Sequence, residues 1–104
     1  MRKAKVYVRG IEAGILTEVG NNKEYVFEYL IEYNGLDISI TMPKKLKVYK
    51  FDKFPPFFDG LLPEGYQLEG LLKIKKIDRK DHFSQLMAVG DDMVGTVTVK
   101  EISA

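Results

Sequence analysis

The sequence predicts an α+β fold, an antiparallel sheet or partial barrel of about five to six strands with two helices on one face. Three observations carry this. Apolar residues alternate with period two through the first 43 residues, recur at helical spacings between Gly65 and Val89, and return to period two from Thr96 to Val99. A chain of 104 residues, 45% apolar and 30% charged, has the length and composition of one folded domain, residues 1–104, with one modest core.

Taken in order, Val6 and Val8, a turn near Gly10, then Ile11, Ala13 and Ile15 with polar or small residues between make a period-2 strand pair from Lys5 to Thr17. Val19-Gly20-Asn21-Asn22-Lys23 is a turn cluster whose Gly and Asn residues accept positive φ. A long strand follows, with Tyr25, Phe27, Tyr29, Ile31 and Tyr33 on one face and Val26, Glu28, Leu30 and Glu32 on the other. Asn34-Gly35 is a strong hairpin signal, and Leu36, Ile38 and Ile40 alternate with polar residues until Pro43 ends the strand. The first 43 residues thus read as four antiparallel strands. Lys44 to Lys53 alternates bases with Leu46, Val48, Tyr49 and Phe51 and reads as a short edge strand in preference to a loop.

Residues 54–66, FPPFFDGLLPEGY, combine five large apolar side chains with three prolines and two glycines, which suits neither a sheet strand nor a long helix. A short helical turn entered through Pro55-Pro56, followed by an extended break before Pro63, is the form expected. From Gly65 to Ile77, Leu68, Leu71, Leu72 and Ile74 fall at helical spacings, with Lys73, Lys75 and Lys76 in the last turn, where cations suit the helix dipole. Gly70 within that helix points to close packing. Asp78 or Asp81 caps a second helix, Asp81 to Val89, with Phe83, Leu86 and Met87 inward and Gly90 as its stop. Gly95 then precedes the closing strand Thr96-Val97-Thr98-Val99.

Composition excludes several chemistries. Without cysteine there is no disulfide scaffold, thiolate zinc site or cysteine nucleophile, and a lone His82 cannot build a histidine metal site. No segment reaches the roughly 20 apolar residues of a membrane span, and the N-terminus lacks an apolar signal core, so a cytoplasmic protein is expected. The net charge of +1 conceals an asymmetry: six acids against Lys23 from Glu12 to Asp37, then Lys44, Lys45, Lys47, Lys50 and Lys53 against Asp52. These clusters read as solvated faces in preference to a phosphate-binding surface, and direct specific nucleic-acid binding is not expected. Asp91-Asp92 reads as a solvated turn, Glu64 as a helix N-terminal acid, His82 as a helix-surface residue, and the Tyr25, Phe27, Tyr29 and Tyr33 row as core rather than base-stacking platform.

Three motifs in the same order and spacing, FFDGLLPEG at Phe57 to Gly65, Asp81-His82-Phe83 with Leu86, and Gly90-Asp91-Asp92-Met93-Val94-Gly95-Thr96-Val97, resemble the N-terminal subdomain of HipA-type serine/threonine kinase toxins. In that family the subdomain is a small β-rich module with helices, packed on the N-lobe of a kinase. The chain departs from the whole family protein in ending at Ala104, without a Gly-rich phosphate loop or a catalytic Asp/Asn/Lys set. In this it is similar to the HipS-like antitoxins of three-component HipBST-type toxin–antitoxin systems, where the kinase toxin HipT and the DNA-binding HipB are separate chains. The resemblance implies a non-enzymatic, cofactor-free antitoxin that neutralises a HipT-like kinase within a complex that includes a HipB-like helix-turn-helix protein. The alternative is a regulatory or scaffolding subunit of such a kinase and repressor complex that does not inhibit.

The expected partner-contacting residues are Pro63, Glu64, Gly65 and Tyr66, with Phe57 and Phe58 of the apolar wedge, most of which also reads as the lid of the domain's own core. Pro63-Glu64-Gly65 is a polar turn that displays a large amphipathic aromatic at a helix start, and rigid tyrosines of that kind are enriched at binding hot spots.

Overall fold

A computed structural model describes residues 1–20, 23–90 and 96–102. The elements are β1 (Arg2–Val8), β2 (Ile11–Glu18), β3 (Tyr25–Tyr29), β4 (Val48–Phe51), α1 (Pro56–Asp59), α2 (Gly65–Lys75), α3 (His82–Val89) and β5 (Val97–Glu101). Every strand pairing is antiparallel, and the strands form an open five-stranded sheet in the order β4-β3-β2-β1-β5. The expected helical turn after Pro55-Pro56 is α1, so the described residues hold three helices.

The β1–β2 hairpin closes through Arg9 and Gly10, both at positive φ (51° and 81°), the conformation that matches the twist of the flanking strands. One strand later the expected phase fails. Val6 pairs with Gly14 but Tyr7 pairs with Glu12, which leaves Ala13 as the extra residue of a bulge. Beyond it Leu16 and Glu18 are buried, whereas Ile15 is half-buried and Ile11 is 62% exposed. Gly14 is required here, since a Cβ would stand 2.5 Å from the Glu28 carbonyl oxygen and 2.7 Å from the Phe27 ring.

Strand β3 ends at Tyr29, four residues earlier than the alternation predicts, and Leu30 donates its N–H to Ala13 at the bulge. The expected Asn34-Gly35 hairpin and the strand through Ile40 do not form; residues 39 and 42 make only an isolated bridge. Tyrosine hydroxyls take the place of a ladder. Tyr29 donates to the Met42 carbonyl, Tyr33 to that of Leu36 and Tyr49 to that of Pro43, while Ile38 N–H donates to the Tyr29 oxygen. This buries Ile38 and Met42 and leaves Ile40 98% exposed. The Lys-rich edge strand is present as β4, and it is shorter than the expected segment.

The inner sheet face supplies Ala4, Val6, Leu16, Tyr25, Phe27 and Val99, against which Phe54, Phe58, Phe83 and Leu86 pack. Phe58 tilts over Phe27 at a centroid distance of 6.0 Å, and Phe54 meets Tyr25 edge-on at 5.2 Å. Asp81 caps α3 by accepting from Ser84 N–H, as expected, and Phe83 and Leu86 face inward with Met87 half-buried. Gly90 ends α3 in right-handed conformation, so its role is close approach: a Cβ would lie 2.2 Å from the Val99 carbonyl oxygen.

Helix α2 differs from expectation. It contributes no buried residue; Leu68, Leu71 and Leu72 are half-buried, and Ile74 is 79% exposed. A Cβ on Gly70 would meet nothing within 4 Å, so the close packing read from this glycine is absent among the described residues. A glycine at mid-helix costs about 1 kcal/mol relative to alanine. The turns expected at Asn21-Asn22 and at Asp91-Asp92, and Gly95, lie outside the described residues.

Candidate functional site: the Pro63–Tyr66 turn

The turn is held from below by the apolar wedge. Pro56 occupies the first turn of α1, where its missing N–H is not needed, and the N–H groups of Asp59, Gly60, Leu61 and Leu62 bond back to Pro55, Pro56, Phe58 and Asp59. Phe58 is fully buried and Leu62 nearly so, which clamps the segment to the core. Pro63 then fixes one backbone angle, Glu64 is extended (φ −129°, ψ 164°), and Gly65 opens α2 at φ +59°. That angle favours glycine, because a Cβ is strained there. Tyr66 follows at 97% exposure. Glu64 precedes the helix without capping it through its side chain.

Of the sequence-predicted contact residues, the structure brings Pro63, Glu64, Gly65 and Tyr66 together on one surface turn, with Pro63 half-buried and the other three exposed. Phe57 is half-buried and stands edge-on to Phe58 at 5.1 Å. Phe58 itself is corrected to a core residue: at zero exposure beneath α1 it presents nothing to a partner.

A second constellation, not foreseen from the sequence, joins β1, β2 and the start of α3. Arg2 forks onto Glu18 through Nε and Nη2 (2.7 and 2.8 Å), and also reaches Asp81 (2.8 Å) and the Ser84 hydroxyl (2.7 Å). Tyr25 donates its hydroxyl to Glu18 (3.3 Å), and the guanidinium lies 4.9 Å from the Phe83 ring centroid. The signal was available once the bulge is known, because Glu18 then falls in phase with buried Leu16, and a buried carboxylate requires a partner. The hydrogen bonds that Arg2 donates to Glu18 and then to Asp81 raise its pKa. Burial alone pushes the Asp81 carboxyl upward, but hydrogen bonds from Arg2 and Ser84 outweigh it and hold Asp81 below its ordinary value. Burial, reinforced by Glu18, pushes the Tyr25 hydroxyl up to about 12. The cluster is closed on itself and ties β1, β2 and the start of α3 together.

No group of three His, Cys, Asp or Glu side chains among the described residues is placed to hold a metal ion. His82 is half-buried against Phe54, with ring centroids 5.4 Å apart. Tyr25, Phe27, Tyr29 and Tyr33 are buried, as a core row should be. Lys44 is met by Asp37 at 3.8 Å and Arg79 by Glu69 at 2.6 Å, so part of the basic charge is locally paired. No helix among the described residues is long and apolar enough to cross a membrane.

The family model of the HipA N-terminal domain matches residues 4–100. The chain belongs to that family. A relative in Haemophilus influenzae, an uncharacterized protein, is 30% identical over 101 residues, covering 97% of this chain and 93% of that protein. The solved structure of an N-terminal domain of HipA toxin is similar with a TM-score of 0.77 and 29% identity, over 99% of this chain and 94% of that one. The five-stranded antiparallel sheet with its helices is thus the fold of the HipA N-terminal domain, and Tyr66 stands on its surface at the start of α2.

Proposed function

We propose that this HipA N-terminal domain acts as an antitoxin that binds and neutralises a HipT-like serine/threonine kinase toxin. The observation that supports the reading is Tyr66, 97% exposed on a turn made stiff by Pro63 and by the left-handed Gly65, in a chain of the HipA N-terminal domain family. The backbone that carries the ring is already fixed, so only the side chain remains to be ordered on binding. The domain works by contact and not by catalysis, takes no cofactor, and acts in the cytoplasm. A HipB-like helix-turn-helix protein joins the complex and carries its DNA contact, since the bases here are partly paired with acids.

The test is calorimetric titration of a HipT-like kinase with the unsubstituted chain and with Tyr66→Ala. Truncation is expected to cost about 2 kcal/mol, roughly 30-fold in affinity, while circular dichroism of the variant stays unchanged. A folded Tyr66→Ala that binds with undiminished affinity removes the turn from the interface. Binding without inhibition leaves the scaffolding role.

A further inference from the structure

Nothing among the described residues requires glycine at position 70. Its φ is not left-handed, the position of a Cβ is open, and no element of the described residues packs over it. It lies one turn after Tyr66 on α2, where the spacing i, i+4 and i+7 aligns Tyr66, Gly70 and Lys73, and Ile77 follows just past the left-handed cap at Lys76. Between Gly70, Lys73 and Ile77 runs an open groove of about 500 Å³, bordered by Glu69, Leu72 and Arg79. A bare backbone at its floor lets a second helix approach closer than the about 8–10 Å usual between helix axes.

Charge selects the occupant. Lys73, Lys75, Lys76, Arg79 and Lys80 surround this end of α2 against Glu69 and Asp78, and Glu69 is already held by Arg79 at 2.6 Å. A groove whose apolar part is Leu72 and Ile77, with glycine at its floor and lysines around it, fits an amphipathic helix whose flanks carry carboxylates. We infer that the outer face of α2 is the seat of an acidic amphipathic helix of the partner kinase, crossing at Gly70 with Tyr66 at one end of the contact and Ile77 at the other. This rests on the kinase-binding reading and extends it along the helix.

The test pairs stability with affinity. Gly70→Ala is expected to raise Tm by about 4 °C or more, because alanine is the better helix former and the space is open. Gly70→Leu keeps the fold for the same reason, yet fills the groove, and is expected to weaken binding of a HipT-like kinase by about 30-fold or more. Lys73→Glu is expected to weaken it as well, with an affinity that falls less steeply as salt is raised. If the unsubstituted chain binds the kinase and Gly70→Leu binds equally well, the seat at Gly70 is overturned while the function stands. If the unsubstituted chain does not bind the kinase, both fall. Self-association of this chain that Gly70→Leu abolishes, with kinase affinity unchanged, assigns the groove to a second copy and overturns the inference.

Discussion

Arg2→Met tests the polar network that joins β1, β2 and α3. Arg2 is the counter-charge of Glu18, whose side chain is 6% exposed, and also contacts Asp81, which caps α3. Removing it leaves a buried carboxylate unpaired and a helix cap without its orienting fork. Breaking a buried pair costs about 3 to 5 kcal/mol, and the lower end applies because the Arg2 side chain is 36% exposed and water can partly replace it. For a domain of this size about 3 kcal/mol is a fall in Tm of roughly 12 °C or more. The assay is thermal unfolding by circular dichroism of Arg2→Met, Glu18→Met and the double variant. The double variant is expected to recover most of the loss, since an apolar pair of similar volume needs no counter-charge. A fall of less than about 3 °C for Arg2→Met, or a double variant as unstable as the single, refutes the closed network.

Acid sensitivity follows from Asp81, whose pKa lies below its ordinary value in the folded chain: its stabilising contribution is present above the unfolded value of 3.8 and is lost as pH falls through the folded one. Asp81→Asn is therefore expected to flatten the fall of Tm in acid, and an unchanged slope contradicts the assignment. At high pH the sign reverses. Tyr25 and Tyr29 are pushed by burial from 10.0 up to about 12, so their contribution is full below pH 10 and is lost as pH rises through 12; ultraviolet titration should show late tyrosinates, with Tyr33 and Tyr49 also raised, that merge with the rest on unfolding. Gly90→Ala is expected to lower Tm more than Gly70→Ala raises it, because the new methyl meets the Val99 backbone, and equal stabilities of the two variants would contradict both placements.

Local chemistry made much of this fold legible. Gly10 marked the first hairpin, Pro55-Pro56 the entry to α1, Asp81 the cap of α3, and the lysine alternation the edge strand. The bulge at Ala13 was not legible, because Ile11, Ala13 and Ile15 keep perfect alternation and only pairing with β1 reveals the extra residue. Once the phase shifts, Glu18 turns inward, and its counter-charge Arg2 is 16 residues distant while the second carboxylate on Arg2, Asp81, is 79 residues from it, beyond the reach of any local pattern. The segment after Tyr29 failed for a related reason. Leu36, Ile38 and Ile40 alternate like a strand, yet three tyrosine hydroxyls take carbonyls of this loop. In the candidate site, Pro63, Gly65 and Tyr66 were readable from turn chemistry, whereas the burial of Phe58 and the exposure of α2 were not. Helical spacing reports where apolar side chains recur; whether an element of the same chain covers them is decided by tertiary packing.

Phosphotransfer by a purified HipT-like kinase, measured against increasing amounts of this chain, tests the proposed neutralisation most directly. Transfer is expected to fall to background near one chain per kinase, and about 30-fold more of Tyr66→Ala should be needed for the same effect. Undiminished phosphotransfer by a kinase shown to be saturated with the unsubstituted chain would contradict the antitoxin role.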